Sequence, residues 1–469
     1  MNPEEVEESN AVGQPELLQS LLEEQEYEKL RDLLSTLPEV EVADFLSNVE
    51  ENEALLLFNK LEDGFRPEVF ANFHLDFQIQ LIEYFSPKEI ADLFSSMSSD
   101  DRADIFQNLI TEKQDKILPY LTKPVRDDII NLSTYPKKTA GGNMSSNFAT
   151  VTKHMTVQQA LEQIRHDAPT KETIYYIYVV DSEKQLIGFV SLKDIILAHP
   201  NQTIENILNE DVIFSEVNED QEIAIKKIEK YDLLAIPVVN IEHKLVGIIT
   251  HDDAFDIIRQ EQTEDMEKFM GISGEHKLGA YLNTTVWEHF KSRAFWINVL
   301  AALGIVSGVI IHNFQDTLTS LILLMLYIPM MSSAGGNSGS QAATVVIRAL
   351  ALGEIDHTDW WRVLFKELRI SLLLGGSLGL WVFLKVFFFT SAAEAAGPHE
   401  ISLYMIGISI GIALAVQVIS ATVLGALLPM IASKFKLDPA VIASPVLSTL
   451  VDITGLLLYF SCAKLILGI

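Results

Sequence analysis

Asp452 stands alone as a carboxylate inside an apolar stretch, Pro439–Leu465. Well upstream, the small and polar run Ser332–Gln341 interrupts an uncharged, otherwise membrane-like stretch from Thr317 to Ile347. Lipid cannot hydrogen-bond such groups, so they should face protein or water, and together they read as the lining of a polar route through a membrane. A second chemistry belongs to carboxylates outside the apolar stretches. Asp253 and Asp256 are three residues apart, as are Glu261 and Glu264, and Asp265 follows four after Glu261. On a helix each set shares one face. Like charges so placed repel, and hard divalent cations relieve that repulsion. A plain solvated helix face is the alternative.

Positioning the first set takes membrane-spanning helices. About 20 mainly apolar residues cross the hydrocarbon layer, and Ala294–His312, Leu318–Ile347, Ile370–Thr390, Ile401–Ser433 and Pro439–Leu465 each approach that length. Basic residues orient them. Lys291 and Arg293 precede the first span, Arg348, Arg362, Lys366 and Arg369 follow the second, and Lys434 and Lys436 follow the fourth. The other two loops carry only Asp316, Glu394 and Glu400. The expected protein is therefore multi-pass in the inner (plasma) membrane, with cytoplasmic N-terminal domains and an external C-terminus. An odd number of spans excludes two equal inverted halves. Either the pore forms between subunits or five helices suffice alone.

The 469-residue chain carries a formal charge of −30. From Val286 onward acidic and basic residues number ten each, so the whole excess lies upstream. That acidity argues against nucleic acid and favours cations as partners, with simple solubility as the alternative. A single cysteine, Cys462, gives neither an intramolecular disulfide framework nor a thiolate metal cluster. The first ten residues are acidic and lack an apolar core, so no signal peptide is expected.

The acidic half holds two modules. From about Leu17 to Leu132, leucine- and phenylalanine-rich phrases recur at helical spacing, and Ile90–Phe94 is echoed twelve residues later by Ile105-Phe106 and its preceding Arg102-Ala103-Asp104. A small helical superhelix is expected, as a regulatory cap or a generic interaction domain. Ile177–Asp194 then matches Ile236–Asp253 at a constant offset of 59 residues. Each copy reads strand, polar turn, Gly-containing strand and a Ser/Thr-started helix, with a helix before it (Val157–Ile164 and Glu222–Ile228). This resembles a tandem CBS pair over about residues 149–258.

With these pieces in order, the chain resembles the MgtE family of bacterial magnesium channels along nearly its whole length. The likeness is carried by Tyr135–Met144, the CBS pair, the linking helix and the five spans. Its most specific words are Gly335–Thr344, Asp438–Ala440 and Pro445–Gly455. The implied architecture is multidomain: an α-helical N-terminal superhelix (1–135), an α/β tandem CBS pair (136–204 and 205–258), a linking or plug helix (259–285) and a five-helix α transmembrane domain (286–469). The resemblance implies a homodimer that takes up Mg2+ through a pathway on its two-fold axis. It places Asp452 at the pore carboxylate, once per subunit, with Asn337, Gly336, Ala440 and Ser444 around a hydrated ion. Ser444 stands where related sequences often have Asn. It also implies closure by cytosolic Mg2+ bound between the modules. The matching positions are Asp100, Asp101 and Asp104 on the N-domain, Asp220, Glu222, Asp232, Asp253 and Asp256 on the second CBS copy, and Glu261, Glu264 and Asp265 on the plug. For the CBS cleft two roles stay open: an adenine-nucleotide (ATP) site using Tyr176 or Tyr178, Lys193 and Asp194, or a scaffold.

A magnesium-gated channel is the leading expectation. A cation-coupled secondary transporter would need a second set of intramembrane ionisable groups, and Asp452 is nearly alone. A membrane-anchored nucleotide sensor leaves the polar break in the second span without a purpose. No nucleophile–base pair or phosphate-cradling loop stands out, so an enzyme is not expected.

Overall fold

The computed structural model describes residues 16–272, 281, 284–320, 323–390, 402–435, 437–439 and 445–468. They form two compact units whose boundary falls between Gln260 and Glu261, inside the helix His251–Phe269.

In the first unit, short helices run from Tyr27–Leu34 to Lys123–Leu132. Each is too short to stand alone in water and has one apolar face to bury. Stacking buries those faces in a single core that includes Leu30, Leu46, Phe58, Phe70, Ile82 and Phe94. Arg102 joins the last two layers. Its Nη2 donates to Asp128 Oδ2 at 2.5 Å, and its Nη1 reaches the carbonyls of Phe94 and Met97 at 3.4 and 3.3 Å. This fixes the helix Ser99–Asn108, which carries three of the expected sensing carboxylates.

The CBS pair follows as two three-stranded sheets. In the first, β1 (Thr150–Thr152) pairs parallel with β2 (Tyr176–Val180), which pairs antiparallel with β3 (Leu186–Ser191). In the second, β4 (Ser215–Glu216), β5 (Ala235–Val239) and β6 (Leu245–Thr250) repeat that order. Register repeats too: Tyr178 faces Phe189 as Pro237 faces Ile248, and both hairpins slip by one residue at Val179/Val180 and Val238/Val239. Tyr178, Val180 and Leu186 pack with Ala235, Val239 and Leu245 to bring the copies together. Each hairpin ends in a helix started by a hydroxyl and an aspartate: Ser191 with Asp194, and Thr250 with Asp253.

In the second unit, five long helices follow the linking helix among the described residues: Val286–Asn313, Ile328–Ala351, Trp360–Phe389, Leu403–Lys434 and Pro445–Leu467. Four of these segments are long and apolar enough to cross a membrane; Ile328–Ala351 is not among them, because Ser332–Gln341 lies in its middle. The expected single span Leu318–Ile347 is also divided at Tyr327, between Leu323–Leu326 and Ile328–Ala351. Pro329 sits in the first turn of the last piece, where its missing N–H costs nothing. Leu403–Lys434 lies at the centre, packed against Ile328–Ala351, Trp360–Phe389 and Pro445–Leu467. Leu373, Trp381 and Phe389 are exposed on the outside, as a lipid-facing surface requires.

Candidate functional site

The first unit gathers carboxylates where two modules meet. Asp100 and Asp101 lie in the first turn of Ser99–Asn108, and Asp104 lies one turn on. The helix is tied to the start of the CBS region by Ser99, whose Oγ contacts Ser145 Oγ at 2.9 Å and accepts from the Ser146 N–H at 2.7 Å. Asp253 and Asp256 arrive on the helix His251–Phe269. Asp253 Oδ2 accepts from the Thr250 backbone N–H at 3.2 Å and from the Thr250 hydroxyl, so the residue is a helix cap as well as a charge.

These acids perturb one another. Burial raises the Asp100 carboxyl well above its usual range, and the charges of Asp101, Asp253 and Glu172 add to the shift. Its Oδ1 is buried and finds no hydrogen-bond partner among the described residues. Burial also raises Asp101, with Asp256 adding to it. Asp253 is pushed up to about 6, by burial first and then by Asp252 and Asp101, against the Thr250 bonds. Asp104 is pushed up to about 6 by burial and Asp101, with Lys137 opposing. Asp101 and Asp104 have exposed surface, so solvent tempers the effect there; Asp100 carries it most fully.

Glu172 belongs to this neighbourhood and was missed in sequence. Burial raises its carboxyl, a hydrogen bond from Ser145 at 3.1 Å lowers it, and Asp101 and Asp252 raise it again. It sits just before β2, far from any acidic run, so no spacing signal marks it. Among the described residues no three carboxylate, imidazole or thiol groups converge closely enough to hold one ion directly. A cation at this seam would be held by fewer protein ligands, with its own water completing the shell.

The other expected sensing residues are placed differently. Asp220 accepts the Glu222 N–H at 2.8 Å and caps the helix Gln221–Tyr231, while Glu222 pairs with Lys226 at 2.7 Å. Asp232 closes that helix in a left-handed conformation, φ 49°. Glu261, Glu264 and Asp265 belong to the second unit. There Lys268 bridges Glu264 at 2.8 Å and Asp438 at 2.9 Å. Burial lowers the Lys268 ammonium, but both carboxylates outweigh it and hold it above its ordinary value. Phe269 packs beside Ala343, Ala421, Leu447 and Val451. In the CBS pair, Tyr176 lies edge-on to Phe189 at 5.3 Å, Lys193 is exposed, and Asp194 Oδ2 accepts from Ser191 Oγ at 2.5 Å as a helix cap.

The membrane region brings its two sequence signals together. Ser332 Oγ donates to Asp452 Oδ1 at 2.6 Å, joining the polar break to the lone carboxylate. Asn337 is exposed, with its Nδ2 3.4 Å from Ser333 Oγ, and a side chain at Gly336 would meet nothing within 4 Å. Ala440 and Ser444 lie outside the described residues. Deeper in the bundle, Ser338 and Thr422 share a hydrogen bond of 2.6 Å. Next to them Gly425 lets its helix approach the Gly339 carbonyl so closely that a Cβ would overlap it. Lys385 donates to the Tyr327 hydroxyl at 2.9 Å.

Comparison with known proteins follows the same division. Residues 328–462 match the MgtE family described as a divalent cation transporter, residues 37–138 its intracellular N domain, and residues 142–201 and 204–260 the CBS domain. The chain is 37% identical over 343 residues to the magnesium transporter MgtE of Thermus thermophilus, covering 72% of each chain. It is 33% identical to the magnesium transporter MgtE of Bacillus subtilis, over 71% of this chain and 70% of that one. A crystal structure of the cytosolic domain of the Mg2+ channel MgtE in complex with ATP aligns with a TM-score of 0.48 and 30% identity, over 51% of this chain and 98% of that one.

Proposed function

The chain belongs to the MgtE family of divalent cation transporters, and from that premise we propose that it is a magnesium channel closed by magnesium on its cytosolic side. The family's members are transporters, in agreement with the absence of an expected enzyme activity. The observation that carries the permeation reading is the bond from Ser332 to Asp452. It puts the one carboxylate of an apolar helix beside the polar interruption of another.

Two features support a pathway between two copies of the chain. Asn337 is exposed and Gly336 half-buried in a single copy although they belong to the polar break. Asp452, bonded to Ser332 of the same break, is half-buried, so a two-fold axis there would supply two carboxylates to one ion. Magnesium sheds water reluctantly, so the site holds it hydrated, with carboxylate, amide and backbone oxygens accepting from its water. The distribution of Lys and Arg between the spans supports a cytoplasmic acidic unit.

The gating reading rests on the raised carboxyls of the first unit. Asp100, Asp101 and Asp253 repel when ionised and are relieved when a divalent cation binds. Magnesium then favours whichever arrangement holds these acids together, since a ligand shifts an equilibrium only by binding one state better. Glu261, Glu264 and Asp265 extend that sensing to the linking helix. Asp220, Glu222 and Asp232 complete the set at the ends of a CBS helix, and ATP in the CBS cleft through Tyr176, Lys193 and Asp194 remains a further proposal. Magnesium uptake by Asp452→Ala in a transport-deficient host tests the pore assignment: loss of uptake with the protein still in the membrane supports it, and normal uptake rejects it.

A further inference from the structure

Gln417 is a fully buried amide in the middle of the central helix Leu403–Lys434, a segment otherwise apolar enough to span a membrane. Its Nε2 donates to the Val451 carbonyl at 3.2 Å, one residue before Asp452. Its Oε1 is buried and finds no hydrogen-bond partner among the described residues. Two glycines make room for it. A Cβ on Gly335, in the polar break, or on Gly455, one turn after Asp452, would overlap the Gln417 amide. The side chain is thus clamped between the two helices that carry Ser332 and Asp452, at the level of their mutual bond.

An apolar residue of similar size would fill this space without leaving a buried acceptor, so packing alone does not account for the amide. We propose that Gln417 is a positioning residue of the ion site, which sets how the helix bearing Asp452 lies against the helix bearing Ser332 and Asn337. The inference rests on the permeation reading above. Its amide holds the Val451 carbonyl, a backbone point that a flexible side-chain contact at Asp452 cannot anchor. Gly335 and Gly455 allow the approach, and Val451 itself packs between Ala343, Ala421 and Leu447. The consequence is selectivity. A site that holds an ion through its water discriminates by spacing, because magnesium keeps a rigid octahedral shell and calcium a looser, larger one. If the two helices lose their register, the spacing no longer favours the smaller, stiffer shell.

The test is the ratio of magnesium to calcium permeation, recorded with the full-length protein in patches for the native chain, Gln417→Leu and Gln417→Asn. A ratio does not depend on how many channels reach the membrane. Both variants are expected to lower it about three- to tenfold, the change that an ordinary net hydrogen bond supports. Gly455→Ala, which crowds the amide without removing it, is expected to shift the ratio in the same direction and serves if the Gln417 variants fail to insert. Conduction with an unchanged ratio in the variants that insert overturns the positioning role while leaving the pore intact. Absence of any divalent current in the native chain instead overturns the permeation reading itself.

Discussion

The acid seam of the first unit and the polar break of the second handle charge in opposite ways. At the seam Asp100, Asp101, Asp104, Asp253 and Glu172 crowd together, their carboxyls are raised, and Asp100 keeps a buried oxygen without a partner. In the membrane region Asp452, the one carboxylate of the helix Pro445–Leu467, is met by the Ser332 hydroxyl. The seam is loaded with mutual repulsion, and in the proposed gating this makes its geometry depend on cations. The proposed membrane site holds little charge, as conduction requires of a site that an ion must also leave. Sensing asks for many weakly satisfied acids; conduction asks for few.

Removing the membrane carboxylate breaks the comparison hardest. Asp452→Ala is expected to abolish magnesium uptake, measured in a transport-deficient host, whereas no single seam acid should do so. Neutralising the seam tests the opposite pole. Asp100→Asn with Asp253→Asn should leave conduction in place and reduce inhibition by cytosolic magnesium about tenfold or more, as expected when two carboxylates of one cation site are lost. Inhibition unchanged in that pair removes the seam from gating.

Much of this was legible in the chain. The constant offset between the CBS copies predicted both hairpins, and the structure repeats even their slip at Val179 and Val238. Repeats are legible because strand register follows from residue period and turn position. The meeting of Ser332–Gln341 with Asp452 was also foreseeable, since polar groups in lipid must find one another. Glu172 and Gln417 were not. Glu172 reaches the seam only because β2 and the N-domain helix fold against it, and Gln417 is one polar residue in an apolar helix with no spacing to mark it. The capping roles of Asp194, Asp220 and Asp253 were hidden for a related reason: the same carboxylate at a helix start serves a cap or a ligand, and only geometry divides the two.

Smaller changes sharpen the contrast. Ser332→Ala removes the hydroxyl that Asp452 accepts from, and uptake should fall about three- to tenfold, the weight of one hydrogen bond to a charged group. The seam should also respond to acid. A carboxyl whose folded pKa lies above its unfolded value contributes stability that is full below the unfolded pKa and lost as pH rises through the folded one. For Asp253 that window runs from 3.8 to about 6. Without magnesium the full-length protein in detergent should therefore melt lower at about pH 7 than at about pH 5, and magnesium should raise the higher-pH melt more. A magnesium-free melt that rises with pH across that window contradicts the repulsion assigned to the seam.

The most direct test is patch recording with magnesium varied separately on each face of the membrane. Feedback-gated conduction requires that external magnesium carry an inward current and that cytosolic magnesium shut it, with the block relieved in the seam variants. An inward flux that persists at high cytosolic magnesium, or that appears only with a proton or sodium gradient, contradicts a magnesium-gated channel.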